Sequence, residues 1–184
     1  MLDACACPGG KSFSCAIDMK NKGRILSCDL HKNKLSLVER SAARLGIGII
    51  STQARDARQR NDEWLASFDR VLCDVPCSGF GVLAKKPEIR YKDLSDIARL
   101  PDIQLDILEN ACRYVKSGGV LVYSTCTLLP EENENNVARF LARHPEFSLC
   151  DFTVGDLTSV GGMLTLTPDE HGTDGFFVAK LTKE

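Results

Sequence analysis

Several things the chain lacks narrow what it can be. Its nine cysteines include no C-x-x-C pair; the close spacings are Cys5-x-Cys7 and Cys73-x-x-x-Cys77. The three histidines, His31, His144 and His171, are scattered. No zinc-ligand spacing results, and no metal is expected. An odd cysteine count, with most thiols inside apolar runs, also argues against a disulfide framework. Reduced thiols in a cytoplasmic protein are the expectation. No apolar run approaches the roughly 18 residues needed to span a bilayer. The first residues also lack the basic-then-apolar pattern of a secretory signal. An excess of positive charge is missing too: 23 Lys and Arg against 25 Asp and Glu leave a net charge of −2. Such a chain does not grip nucleic acid over its whole surface, so any phosphate contact must come from a local basic patch or from a part outside this chain.

What is present is the composition of one globular domain. The 184 residues are 43% hydrophobic and 26% charged, ordinary values for a soluble fold. Strand-length apolar runs alternate with segments of helical period, which predicts an α/β protein with a mainly parallel sheet. Strands are expected at 2–4, 24–28, 47–52, 68–73 and 120–123. Helices are expected at 11–20 and 32–45, from Pro101 to a stop at Gly118-Gly119, and from Pro130 to about His144. Residues 78–100 read as a long functional loop. The stretch from Phe147 onward lacks helical period and offers 162–166 and 176–181 as an antiparallel pair.

Three strand ends carry the chemistry. The first is Asp3-Ala4-Cys5-Ala6-Cys7-Pro8-Gly9-Gly10-Lys11, a glycine turn between a strand and its helix. Such a turn lets backbone approach a nucleotide-like ligand at the carboxyl edge of a sheet. A phosphate-binding P-loop needs Gly five positions before Gly10, where Cys5 stands, and the G-x-G-x-x-G fingerprint is absent. Asp29, 19 residues after Gly10, ends the next strand and suits ribose hydroxyls. The second motif is Asp74-Val75-Pro76-Cys77-Ser78-Gly79, and the third is Ser124-Thr125-Cys126-Thr127. In an open α/β sheet all three loops face one crevice, which brings two cysteines and an acid together there.

These motifs, in this order, resemble the RNA cytosine-5 methyltransferases of the NOL/Sun family, in particular the bacterial Sun group that acts on small-subunit ribosomal RNA. The matching stretches are DACACPGGK, DVPCSG and YSTCT, with KKPEIR, LLPEENE and DGFFVAKL around them. The resemblance covers essentially the whole chain. It implies a Rossmann-like, three-layer α/β/α methyltransferase fold with a C-terminal antiparallel strand, S-adenosyl-L-methionine as cofactor and RNA as partner. It also implies that Cys5, Ala6, Cys7, Pro8, Gly9, Gly10, Lys11, Asp29, Asp56 and Asp74 bind the cofactor. Cys126 becomes the nucleophile and Cys77 the thiol that assists product release. Two departures stand out: Cys7 replaces a usual Ala, and Asp56-Ala57-Arg58 replaces D-G-R.

The chemistry accounts for the residue types independently. Carbon 5 of cytosine is a poor nucleophile until a thiolate adds to carbon 6, and Asp74 is placed to hold the base and offset developing charge. Lys85, Lys86, Arg90 and Lys92 are candidate RNA contacts. Trp64 is expected to pack, although Trp64 and Phe80 could stack on bases, and Glu131 and Glu132 read as helix-start residues. Measured against the family, residues 1–184 read as one catalytic domain that starts inside its first strand and lacks the N-terminal RNA-recognition region. The competing readings are a non-catalytic remnant, a tRNA enzyme, and an exocyclic amino methyltransferase. The last would place an aromatic residue where Cys77 stands.

Overall fold

A computed structural model describes residues 1–93 and 95–184. The element order is β1 (Leu2–Asp3), α1 (Gly10–Asp18), β2 (Ile25–Asp29), α2 (Lys32–Arg44), β3 (Ile50–Ala54), β4 (Phe68–Asp74), α3 (Leu94–Ala98), α4 (Leu100–Ala111), β5 (Val115–Thr125), α5 (Glu134–Leu141), β6 (Phe147–Leu149), β7 (Thr153–Val154), β8 (Leu157–Thr158), β9 (Met163–Leu166), α6 (Pro168–His171) and β10 (Phe176–Lys183). The main sheet runs β3-β2-β1-β4-β5-β10-β6, with β9 paired beside β10. Strands β1 to β5 pair in parallel, while β10 is antiparallel to β5, β6 and β9. This is the α/β architecture that the alternating pattern predicts, including the terminal antiparallel strand. Among the described residues no helix is long and apolar enough to cross a membrane.

Alternation along the strands splits the core in two. On one face Val71, Cys73, Leu121, Tyr123, Phe177 and Ala179 meet Leu105, Leu108 and Ala111 of α4 and Val137 and Phe140 of α5. On the other, Ile25 and Ile47 pack with Ala16 of α1 and Ala42 of α2. Period-2 strands between two amphipathic helical layers must bury both faces, and this sheet does so with different helices on each side.

Four boundaries differ from expectation for local reasons. Helix α4 ends at Ala111, a 3₁₀ turn covers Cys112–Tyr114, and β5 begins at Val115 rather than Val120. Gly118-Gly119 is therefore not a helix stop. Partner pairs step from Phe68↔Val115 to Arg70↔Val120, so the glycines form a bulge within the strand. The segment 78–100 is not an open loop: it holds 3₁₀ turns at Phe80–Val82 and Pro87–Tyr91 and the helix α3. Strand β3 starts at Ile50 because the Ile47 N–H still bonds to the Ala42 carbonyl at the end of α2. The helix expected from Pro130 is divided into a 3₁₀ turn over Pro130–Glu132 and then α5, with Asn133 at φ −112° and ψ −107° between them. Glu131 and Glu132 stand in the 3₁₀ turn, as expected of helix-start residues, and Glu132 is in addition fully buried.

Candidate active site

The first motif folds as a turn because its backbone remains tied to the sheet after β1 ends. Ala4 N–H donates to the Leu72 carbonyl at 2.9 Å, and Ala6 N–H to the Cys28 carbonyl at 2.7 Å. Gly9 then reverses the chain at φ +107°, a conformation that favours glycine, and caps α1. A Cβ at Gly9 would also sit 2.5 Å from the Phe13 ring. Beneath the turn, Ser12 Oγ donates to Asp3 Oδ2 at 2.6 Å and lies 2.7 Å from Ser27 Oγ. Burial pushes the Asp3 carboxyl up to about 6, and its Oδ1 has no partner. Asp3 is thus part of the wall under the turn.

Beyond the strand ends lies a cleft of about 480 Å³. Of the residues marked in the sequence, Cys5, Cys7, Asp29, Asp56, Asp74, Cys77 and Cys126 line it. Ala6, Pro8 and Gly9 form the turn without lining the cleft, whereas Gly10 and Lys11 open α1 and line a separate pocket with Phe176 and Val178. Val75, Ile103 and Ile107 add an apolar wall. Asp29 is fixed by accepting the N–H groups of Cys7 at 3.3 Å and His31 at 2.9 Å. Asp56 accepts from Arg58 at 3.0 and 2.6 Å, and that guanidinium, together with the Arg58 N–H, holds its carboxyl below the usual range. Asp74 is gripped on both oxygens, by Lys11 Nζ at 2.6 Å and Ser124 Oγ at 2.8 Å. Lys11 therefore reaches the site through Asp74.

The two cysteines meet at one end of this cleft. Cys77 Sγ and Cys126 Sγ are 3.1 Å apart, and the Cys126 N–H donates to Cys77 Sγ at 3.3 Å. Both side chains are half-buried, unlike Cys73 below them. The Cys77 thiol acting as donor stabilises a Cys126 thiolate and brings Cys126 down to about 7. Burial and the Asp74 charge oppose this shift, while Lys11 assists it. The same bond, with burial, drives Cys77 upward. The two thiols thus shift in opposite directions, Cys126 down and Cys77 up, although the Cys126 N–H bond to Cys77 Sγ works against the rise of Cys77.

A close backbone crossing supports the Cys126 loop. The Gly81 N–H donates to the Cys126 carbonyl at 3.0 Å, and the Gly175 N–H donates to the Gly81 carbonyl at 2.8 Å. A Cβ at Gly81 would lie 2.1 Å from the Gly175 oxygen. No local pattern reveals this crossing, because the two glycines are far apart in the chain.

The four marked cations divide. Lys85 pairs with Asp174 at 2.6 Å, and Lys92 Nζ donates to the Ser78 carbonyl at 2.6 Å. Lys86 and Arg90 are exposed on the same segment, beside a Tyr91 that is 88% exposed. Trp64 packs edge-on against Phe68 and Tyr114, with its ring under Arg55. A packing role is what the sequence suggested for it.

Comparison with known proteins assigns the family. The model of the 16S rRNA methyltransferase RsmB/F family matches residues 1–182. The chain belongs to that family. It is 44% identical to the probable ribosomal RNA small subunit methyltransferase B of Bacillus subtilis (strain 168), over all of this chain and 43% of the relative. It is 39% identical to the ribosomal RNA small subunit methyltransferase B of Yersinia pseudotuberculosis, over all of this chain and 42% of that protein. The chain thus spans less than half the length of these curated relatives. Among solved structures, PH0851 superposes with a TM-score of 0.93 at 38% identity, over 99% of this chain and 42% of its own. NSun6 from Pyrococcus horikoshii, solved with SFG, superposes at 0.83 with 34% identity, over 99% of this chain and 47% of its own. The fold shared with these Sun-type neighbours is the Rossmann-like methyltransferase fold.

Proposed function

We propose that residues 1–184 form one catalytic domain of a cytoplasmic, S-adenosyl-L-methionine-dependent RNA methyltransferase that methylates carbon 5 of cytosine in small-subunit ribosomal RNA. The observation that carries this reading is the thiol pair, Cys77 Sγ and Cys126 Sγ 3.1 Å apart in an acid-lined cleft, with the Cys126 thiol lowered toward neutrality. Family membership supports the substrate class.

The cleft suits the cofactor. Its volume falls within the roughly 300–1,000 Å³ typical of small-molecule sites. It offers an acid at each of three strand ends and an apolar wall. Asp29 would take the ribose hydroxyls, Asp56 the adenine edge, and Asp74 with the turn from Cys5 to Lys11 the remainder. Bound there, S-adenosyl-L-methionine supplies an electrophilic methyl group.

The residues of the chain do the rest. Cys126 Sγ adds to carbon 6, and the electron pair of the C5–C6 double bond makes carbon 5 nucleophilic. Asp74, steadied by Lys11 and Ser124, accepts from the exocyclic amino group and passes a proton to ring nitrogen 3, which neutralises the negative charge that the attack leaves on the ring. After methylation Cys77, as a thiolate, takes the carbon-5 proton, the C5–H electron pair re-forms the double bond, and the Sγ–C6 bond breaks to return Cys126 as a thiolate. Cys77, the nearest thiol, assists that release. Lys86 and Arg90 contribute phosphate contacts, and a cytosine in a helix must leave its stack to reach Cys126.

The test is nucleoside analysis of RNA incubated with the protein and cofactor. It is expected to show 5-methylcytidine, formed at a rate that rises with pH and levels off above about 7, as Cys126 ionises. Methyl groups on the exocyclic nitrogen, or no methylation of small-subunit ribosomal RNA, would contradict the reading.

A further inference from the structure

We propose that Glu132 and Asn133 form a spacer that sets the distance between the two thiols, with Glu132 as the positioning residue for Cys77. The catalytic meaning of this spacer rests on the roles given above to Cys126 and Cys77, whereas its geometry does not.

Glu132 is fully buried in the 3₁₀ turn after the Cys126 loop. Its Oε2 accepts the Ser78 N–H at 2.9 Å and the Gln104 Nε2 donor at 2.7 Å. The same Gln104 nitrogen donates to the Pro76 carbonyl at 2.9 Å. The peptide groups on both sides of Cys77 are therefore held by one carboxylate and the amide bound to it. Asn133 does the same for the other loop. Its Oδ1 accepts from Thr125 Oγ1 at 2.6 Å, and its Nδ2 donates to the Thr127 carbonyl at 3.0 Å, on either side of Cys126. A third tie joins the loops directly, Ser78 Oγ to Thr127 Oγ1 at 2.7 Å. The Glu132 carbonyl is in turn fixed by the Tyr123 hydroxyl at 2.5 Å.

Two consecutive residues thus each anchor one thiol loop. A carbon–sulfur reaction that needs both thiols at one base depends on such placement at the scale of an ångström. The other Glu132 oxygen, Oε1, is buried without a partner. The side chain is therefore needed as a double acceptor through Oε2 alone. A glutamine there keeps that acceptor; an alanine does not.

The experiment is iodoacetamide alkylation of the free protein across pH, with the Cys126 peptide resolved by mass spectrometry and folding checked by circular dichroism. Wild type should show a Cys126 midpoint near 7, and E132Q should keep it. E132A should move it toward the ordinary thiol value of 9.0, since the Cys77 donor is displaced. Should E132A fail to fold, Q104L is the second variant, and it is expected to raise the midpoint in the same direction. A folded E132A or Q104L with the wild-type midpoint would overturn the inference, as would an E132Q shifted as far as E132A. The readout needs neither RNA nor cofactor. A wild type that makes no 5-methylcytidine while the alkylation series behaves as described would remove the proposed function and leave the spacer standing.

Discussion

Cys73 and Cys126 belong to neighbouring strands, yet the structure gives them opposite chemistry. Cys73 is fully enclosed among apolar side chains, and burial raises its thiol well above 9.0. Cys126 sits one residue past the end of β5, half-exposed, with a second thiol 3.1 Å from it and its own thiol lowered. Cys5 and Cys28 follow Cys73, since burial raises both, Cys28 to about 12. The opposite shifts therefore come from the place and the partner, because the residue type is common to all.

The largest predicted effect removes one side of this contrast. Cys126→Ser should lower methyl transfer by several orders of magnitude while the fold, read by circular dichroism, is unchanged. Cys77→Ala should make Cys126 resemble an ordinary thiol. Its alkylation midpoint would climb from about 7 toward 9.0, leaving about a hundredfold less thiolate below neutrality. Protein–RNA adduct should also accumulate in that variant, because release is impaired.

Asp3 sharpens the comparison from the buried side, since its charge adds to the rise of both Cys5 and Cys73. Its folded pKa, about 6 against an ordinary 3.8, means the native state holds the proton more tightly than the unfolded chain. The stabilisation is full below pH 4 and is lost as pH rises through 6, by about 3 kcal/mol at most. Asp3→Asn should remove that slope from urea unfolding measured across this range. Gly81→Ala should cost roughly 1–3 kcal/mol, as overpacking does, and disturb Cys126, because its Cβ meets backbone on two sides. Cys73→Ala is the smallest change. It should cost roughly 1 kcal/mol, as the loss of a small buried group does, and leave the Cys126 midpoint where it is.

Particular residues show how far the sequence could be read. The strand ends were legible because each motif directly follows an apolar run, and parallel topology then brings Asp29, Asp74, Cys77 and Cys126 to one edge. The bulge at Gly118-Gly119 was not, because a glycine pair reads the same at a helix stop and inside a strand. The burial of Glu132 was not legible either. An acid after Pro130 suits a helix start, and its contacts to the Ser78 N–H and Gln104 come from segments far away in the chain. Cys77 and Cys126 were expected in one crevice, but the 3.1 Å between their sulfurs, 49 positions apart, could not be read from spacing.

The central claim is that Cys126 forms a covalent bond to the base. RNA carrying 5-fluorocytidine tests it most directly, since fluorine at carbon 5 leaves no proton to remove and the adduct cannot resolve. Incubation with cofactor should give a protein–RNA adduct that maps by mass spectrometry to the Cys126 peptide and is absent in Cys126→Ala. An adduct that persists in Cys126→Ala, or methylated RNA with no adduct from the wild type, would contradict the account.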